Sequence, residues 1–284
     1  MRAIVENLEG QSVVITGAGG GLGAAYAKAA AGLGARIVIN DINRDAAENI
    51  AAEIRRANGV AVAETQDIRH PEAAEALVQR CLREFGAITG LVNNAGVFFL
   101  EPFEEATLEH LRLLLEVNVI GTFNCARAAV GPMLRQGHGS IVNVTSGAHT
   151  GQPKLSSYGA SKGAVSSFTY GWSCELKDRG IRVNAVSPLA FTPMAKHLPH
   201  LPRPEANVAP VLYLLSDRSK HINGQVIRIA GKKLSLMSHP ANRAPVLERD
   251  EWSLESVTDA FETTLAAKQL PTDVVTYEID RVLS

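Results

Sequence analysis

Seven short apolar runs punctuate the chain: SVVITG, ARIVIND, VAVAETQD, ITGLVNNAG, SIVNVTS, IRVNAVSP and GQVIRIAG. Most are near-continuously apolar instead of alternating, as strands buried on both faces should be. The segments between them have helical period. After Pro71, residues Ala74, Leu77, Val78, Cys81, Leu82 and Phe85 recur on one face, with Gly86 just past the last turn. Proline in the first turn and glycine beyond the last bound this helix. A second helix runs from an N-cap at Asn43 to a stop at Asn58-Gly59. Repeated strand–helix alternation predicts an α/β fold, a Rossmann-like, doubly wound, seven-stranded parallel sheet with helices on both faces. Ligands of such sheets bind outside the carboxyl ends of the strands, at the switch point in strand order. Beyond Gly231 the rhythm changes to a proline-bearing loop, a helix within 253–268 and a strand-like VVTYEI. Residues 1–231 therefore read as the catalytic domain. Residues 232–284 read as an extension packed on it or on a neighbouring subunit, too short for a second core.

Composition narrows the classes. The chain has 284 residues, 46% of them hydrophobic and 20% charged, which suits one large domain with an appendage. A formal net charge of −1 gives no electrostatic case for nucleic acid or an anionic membrane. No window holds the roughly 18 uninterrupted apolar residues of a bilayer span, and the opening MRAIVENLEG lacks the apolar core of a signal peptide. Cys81, Cys125 and Cys174 fit no disulfide or zinc spacing and are expected to be reduced, buried thiols of a cytoplasmic protein.

The glycines cluster after the first strand, in ITGAGGGLGAAYAKAAAGLGA. Such a turn lets a diphosphate approach the free N–H groups and positive dipole end of a helix. Its spacing is Thr16-Gly17-x-x-x-Gly21-Leu22-Gly23, neither GxGxxG nor a P-loop. A tight turn without a ligand has the same look, so the loop alone does not decide. Asp41 ends the second strand, where a carboxylate can accept both hydroxyls of an adenosine ribose and repel a 2′-phosphate. That favours NAD over NADP, with Arg44 near enough to soften the preference. Asp67, ending the third strand, reads either as an adenine contact or as a helix N-cap.

In SSYGASKGAV, Tyr158 and Lys162 lie at i and i+4, on one helix face. A free phenol titrates near about 10, too high for proton exchange at neutral pH. A neighbouring ammonium, and the positive ring of an oxidised nicotinamide, should lower it. His197 and His200 lack a third ligand and read as loop histidines.

These motifs, in this order, resemble the short-chain dehydrogenase/reductase family over roughly residues 8–231. The resemblance rests on the TGxxxGxG turn, NNAG at 93–96, Val117-Asn118, Ser146, the Tyr158-x-x-x-Lys162 pair and RVNAVSP. It implies a catalytic set of Asn118, Ser146, Tyr158 and Lys162. Tyr158 would exchange a proton with the substrate oxygen, Ser146 would orient that oxygen, and Lys162 would also reach the nicotinamide ribose. Asn118 would hold a relay water; the alternative is a helix-interior asparagine bonded to nearby main chain. The implied cofactor contacts are Thr16, Gly17, Gly21, Leu22, Gly23, Asp41, Asp67 with Ile68, Asn94, Ala95, Gly96, Tyr158, Lys162, Pro188 and Thr192, with no metal. The family's usual spacing from the tyrosine falls on Thr145, whereas aligning the strand SIVNVTS selects Ser146.

The chain also departs from the pattern. Leu189 replaces a glycine, Thr192 comes one residue early, and the stretch from Thr192 to Glu205 is about half the family's usual lid. Residues 232–284 are expected to roof the site instead. The implied activity is NAD(H)-dependent interconversion of a secondary alcohol and a ketone, on a 3-hydroxyacyl-CoA, a steroid or another bulky hydroxyl compound. The alternatives are an NADP-dependent reductase of small cyclic ketones and a non-catalytic nucleotide sensor. The implied partners are a small-molecule substrate and further copies of the chain, as dimer or tetramer.

Overall fold

The computed structural model describes residues 7–191 and 201–270. Seven parallel strands form the sheet: β1 (Ser12–Ile15), β2 (Arg36–Asp41), β3 (Val60–Thr65), β4 (Gly90–Asn93), β5 (Gly139–Val144), β6 (Ile181–Leu189) and β7 (Val226–Ala230). An eighth, β8 (Lys233–Leu236), runs antiparallel to β7. The order is β3-β2-β1-β4-β5-β6-β7-β8, so the winding reverses between β1 and β4.

Burial explains the unbroken apolar runs. Val13 and Ile15 point into one core layer with Tyr26 and Ala27 of α1 (Gly21–Gly32), Ile50 of α2 (Arg44–Arg56) and Leu214 of α7 (Val208–Leu215). Val14, between them, points into the other, with Leu77 of α3 (Pro71–Phe85), Met133 of α5 (Thr122–Gln136) and Leu176 of α6 (Ser156–Leu176). Alternate side chains of one strand thus serve opposite layers, and both layers are apolar.

The local stops behave as their chemistry requires. Asn43 caps α2 by accepting from Ala46 N at 3.1 Å, and Gly86 closes α3 in the left-handed region at φ 78°. Of the cysteines, Cys81 and Cys125 are buried and their thiols are pushed up to about 12 by burial. Cys174 is exposed, contrary to expectation, because it lies on the outer face of α6.

Two features differ from the sequence reading. The helical run α4 (Leu108–Leu114), a π-helical segment at Leu115–Gly121 and α5 is long and apolar enough to cross a bilayer by length and composition alone. Here it packs against α3 and α6 and buries Asn118, Thr122 and Asn124, as a core helix does. The extension expected from residue 232 instead opens with β8. Gly231 and Lys232 form a two-residue hairpin loop between the paired Ala230 and Lys233, and Gly231 takes the φ of +61° that primed turns demand. A second compact unit begins at Met237. Within it, Ser253 and Ser256 form a capping box that starts α8 (Leu254–Ala260), continued by irregular helical turns to Lys268. The strand-like segment VVTYEI lies outside the described residues.

Inside the sheet, Asn143 is fully buried. It accepts from Asn93 Nδ2 at 2.9 Å and donates to Thr169 Oγ1 at 2.9 Å, joining β5 to β4 and α6. Asn143→Leu should lower unfolding free energy by about 2–4 kcal/mol, because it strands two buried polar partners. Urea denaturation measures this, and a change under about 0.5 kcal/mol would show that the network adds no net stability.

Candidate active site

The turn after β1 is shaped by packing before any ligand enters. Gly17 has φ +61°, and a Cβ there would lie 2.7 Å from Ala95 Cα. A Cβ on Gly23 would lie 2.3 Å from Gly17 O. Glycine at both positions lets the β1 turn press against the end of β4. The fully buried Thr16 ties the two ends together: its Oγ1 accepts from Asn94 N and Ala95 N, both at 3.1 Å. Asn94 Nδ2 returns bonds to Thr16 O at 2.9 Å and Gly17 O at 3.0 Å. Thr16 Oγ1 and Asn94 Nδ2 therefore hold the loop through its main chain.

The same turn fits a dinucleotide. Helix α1 begins after Gly20 with no side-chain cap, leaving its first N–H groups available to a diphosphate. Gly21 opens the helix, and Leu22 packs its side chain into the core layer. Asp41, at the end of β2, accepts from Gly19 N at 3.0 Å and Asn43 N at 2.9 Å. A carboxylate offers about four acceptor directions, so lone pairs remain for a ribose diol.

Asp67 corrects the N-cap reading. It does not cap α3, whose N-cap is His70. Its carboxylate, partly exposed, is held by Arg69 through Nε at 3.0 Å and 2.9 Å and through a terminal nitrogen at 2.6 Å. That guanidinium, chiefly by hydrogen bonding, holds the Asp67 carboxyl below the usual range. Ile68 beside it is buried, and Asn124 Nδ2 donates to its carbonyl at 3.0 Å.

The remaining site residues converge at the carboxyl end of β5. Ser146 follows the strand; its hydroxyl accepts from Ala148 N at 3.2 Å and lies on the Tyr158 side, where it pulls the phenol down. Thr145 turns the other way, donating to Lys162 O at 2.9 Å and bonding Ser166 Oγ at 2.8 Å. The two hydroxyls thus have different partners, Thr145 being tied to α6 at Lys162 O and Ser166. Lys162 is buried on α6, its Nζ donating to Val144 O at 2.8 Å and standing 5.9 Å from the Tyr158 ring centroid. Gly96 lies beside it: a Cβ there would meet Lys162 Nζ at an ordinary 3.5 Å but crowd Asn118 Oδ1 at 3.0 Å. Pro188 lies at the end of β6, where Arg228 of β7 ties it down through Ser187 O at 3.1 Å and Pro188 O at 3.5 Å. Thr192, His197 and His200 lie outside the described residues.

Asn118 sits at the centre of the π-helical segment and is fully buried. It accepts from Val97 N at 2.8 Å and donates to Val97 O at 3.1 Å and Ser161 Oγ at 3.0 Å. The amide is spent on the chain that leaves β4, the main-chain alternative weighed for it.

The expected lowering of the phenol is reversed. Burial pushes Tyr158 up to about 12 against the opposing pull of the Ser146 hydrogen bond. Burial likewise pulls Lys162 down to about 8. Desolvation therefore outweighs the attraction between the two groups in the protein alone.

Comparison with known proteins places this geometry. Residues 11–200 match the family model described as short chain dehydrogenase. The chain belongs to the short-chain dehydrogenase family. Among its relatives, 3-oxoacyl-(acyl-carrier-protein) reductase FabG of Thermotoga maritima is 34% identical over 79% of this chain and 98% of that protein. The cis-4-hydroxycyclohexanecarboxylate dehydrogenase of Sinomonas cyclohexanicum is 34% identical over 77% of this chain and 94% of its own length. A short chain dehydrogenase from Mycobacterium avium superposes with a TM-score of 0.84 at 28% identity, covering 93% of this chain and 97% of that one. A 7α-hydroxysteroid dehydrogenase complexed with NADH and 7-oxo glycochenodeoxycholic acid superposes at 0.76 with 30% identity, covering 80% and 95%. Family membership makes the chain an oxidoreductase of nicotinamide-binding type.

Desolvation of Lys162 has a consequence for stability. Its folded pKa of about 8 lies below the ordinary 10.5, so the unfolded chain binds more protons there between those values. Stability from this residue grows as pH rises from 8, and Tyr158 opposes it only above its ordinary 10.0. The stability of wild type relative to Lys162→Met should therefore increase from pH 8 to pH 10 in urea titrations. A flat difference across that window would contradict a desolvated ammonium.

Proposed function

We propose that the chain is a NAD(H)-dependent oxidoreductase that interconverts a secondary alcohol and a ketone. The observation that carries this reading is the meeting of Ser146, Tyr158 and Lys162 beside the β1–β4 switch point. In the oxidative direction the alcohol oxygen sits between the Ser146 hydroxyl and the Tyr158 phenolate, and the phenolate takes its proton. In reduction the Tyr158 hydroxyl returns that proton to the carbonyl oxygen while Ser146 holds it in place. The nicotinamide, when bound, accepts or supplies the hydride. Lys162 contributes charge: its ammonium favours the phenolate, and its Nζ lies beside Gly96 at the end of β4. Asn118 supports both by fixing the chain after Gly96, which makes it a positioning residue here in place of a water relay.

Asp41 carries the choice of NAD. A 2′-phosphate placed against a carboxylate that already bridges the glycine turn would be repelled. The NADH-bound relative supports that choice. For substrate, the reading favours a bulky alcohol or ketone, in keeping with the hydroxysteroid and hydroxycyclohexanecarboxylate named for relatives.

NADH oxidation with a panel of ketones and 3-oxoacyl thioesters tests the activity. Tyr158→Phe should cut kcat by about 10²–10⁴-fold while NADH still binds. Unimpaired turnover in that variant would remove the phenol from the proton transfer. Asp41→Ala should reduce the NAD over NADP preference in kcat/KM by at least about 10-fold, and a wild type that prefers NADP would overturn the cofactor assignment.

A further inference from the structure

The loop that leaves β4 reads VFFLEPF over residues 97–103, an apolar run that the proton-transfer chemistry does not explain. Phe98 stands edge-on to Tyr158, with ring centroids 4.9 Å apart and planes at 77°. Phe98 also keeps part of its surface accessible. The next ring, Phe99, stacks flat on His110 of α4 at 3.9 Å and 7°. Glu101 Oε2 lies 2.6 Å from His110 Nδ1. Glu101 N donates to Lys154 O at 2.9 Å, reaching the loop before α6, where Lys154 holds a left-handed φ of 63°. At its start the loop is gripped by the Asn118 amide through both polar groups of Val97. Three separate ties thus fix a loop whose aromatic side chains are left half-exposed. Ordering backbone costs about 1–2 kcal/mol per residue, and accessible apolar rings add to that cost. A loop rigidly held with its rings only partly covered is a surface kept ready for contact.

The position of that surface follows from the chemistry. An oxygen held by Ser146 and Tyr158 places its carbon, and whatever that carbon bears, beside the neighbours of the phenol. Phe98 is such a neighbour. We propose that Phe98 is a specificity-determining residue, forming a wall against which an apolar ring adjoining the reacting carbon packs. Glu101 and His110 are its positioning residues, holding the wall upright through Phe99 and Lys154. This rests on the alcohol–ketone reading of Tyr158.

The test is binding, so that it does not depend on turnover. Affinities of cyclohexanol and 2-butanol for the protein saturated with NADH are measured by ligand-detected NMR. Wild type should bind cyclohexanol, and Phe98→Ala should weaken it at least about 10-fold while weakening 2-butanol by less than about 3-fold. Phe98→Leu, which keeps an apolar side chain and guards against misfolding, should fall between them. Glu101→Gln should weaken cyclohexanol selectively, by about 3–10-fold, at unchanged NADH affinity, which a merely structural role would not produce. Cyclohexanol affinity equal in wild type and Phe98→Ala, or undetectable in wild type, overturns the proposal. Phe98-dependent binding without turnover of any ketone sinks the alcohol–ketone reading alone. Ketone turnover with Phe98-independent binding sinks the wall alone.

Discussion

Everything at the site hangs on the knot between β1 and β4. The sheet reverses its winding there, and a reversal opens a crevice only if the two strand ends are held at a fixed separation. Thr16 and Asn94 do this with reciprocal bonds through Thr16 Oγ1 and Asn94 Nδ2. Gly17 and Gly23 permit the contact by lacking a Cβ where main chain already sits. The turn that precedes α1, the carboxylate of Asp41 that accepts from Gly19, and the chain that carries Gly96 past Lys162 all take their positions from it.

The second controlling effect is desolvation. Tyr158 and Lys162 sit where water cannot pay for their charged forms, and each is pushed toward neutrality. At neutral pH the phenol keeps its proton, and the charge of a group entering the crevice would add to that of Lys162 in favouring the phenolate. Such a site resists losing its proton until a partner with a compensating charge or dipole arrives.

Much of this was legible in the chain because parallel strands and amphipathic helices impose strong periods. The caps at Asn43 and Gly86 follow from local chemistry alone, and so does the helix face shared by Tyr158 and Lys162. The choice between Thr145 and Ser146 was harder. It depends on how two successive residues leave the strand, and spacing does not encode that the Thr145 hydroxyl is taken up by Ser166. What stayed hidden was tertiary. Arg69 closes on Asp67 from two residues away, yet the same side chain also reaches Glu116 across the fold. The direction of the Tyr158 shift needed the depth of burial, which spacing does not encode. Phe98 stood in plain view as an apolar run in a loop, but its contact with Tyr158 comes only when the loop leaving β4 meets α6.

The hairpin at Gly231 is the other feature that could have been foreseen, since a glycine and a lysine separate two alternating apolar segments. Its effect is on the rim of the sheet. Without it, β7 would end the molecule as a bare apolar ladder, VIRIA, open to pairing with any other extended chain. β8 takes that place with only four residues, and its lysine is exposed. A strand of four residues offers an incoming chain only a short ladder. The hairpin thus shortens the edge along which another extended chain could pair.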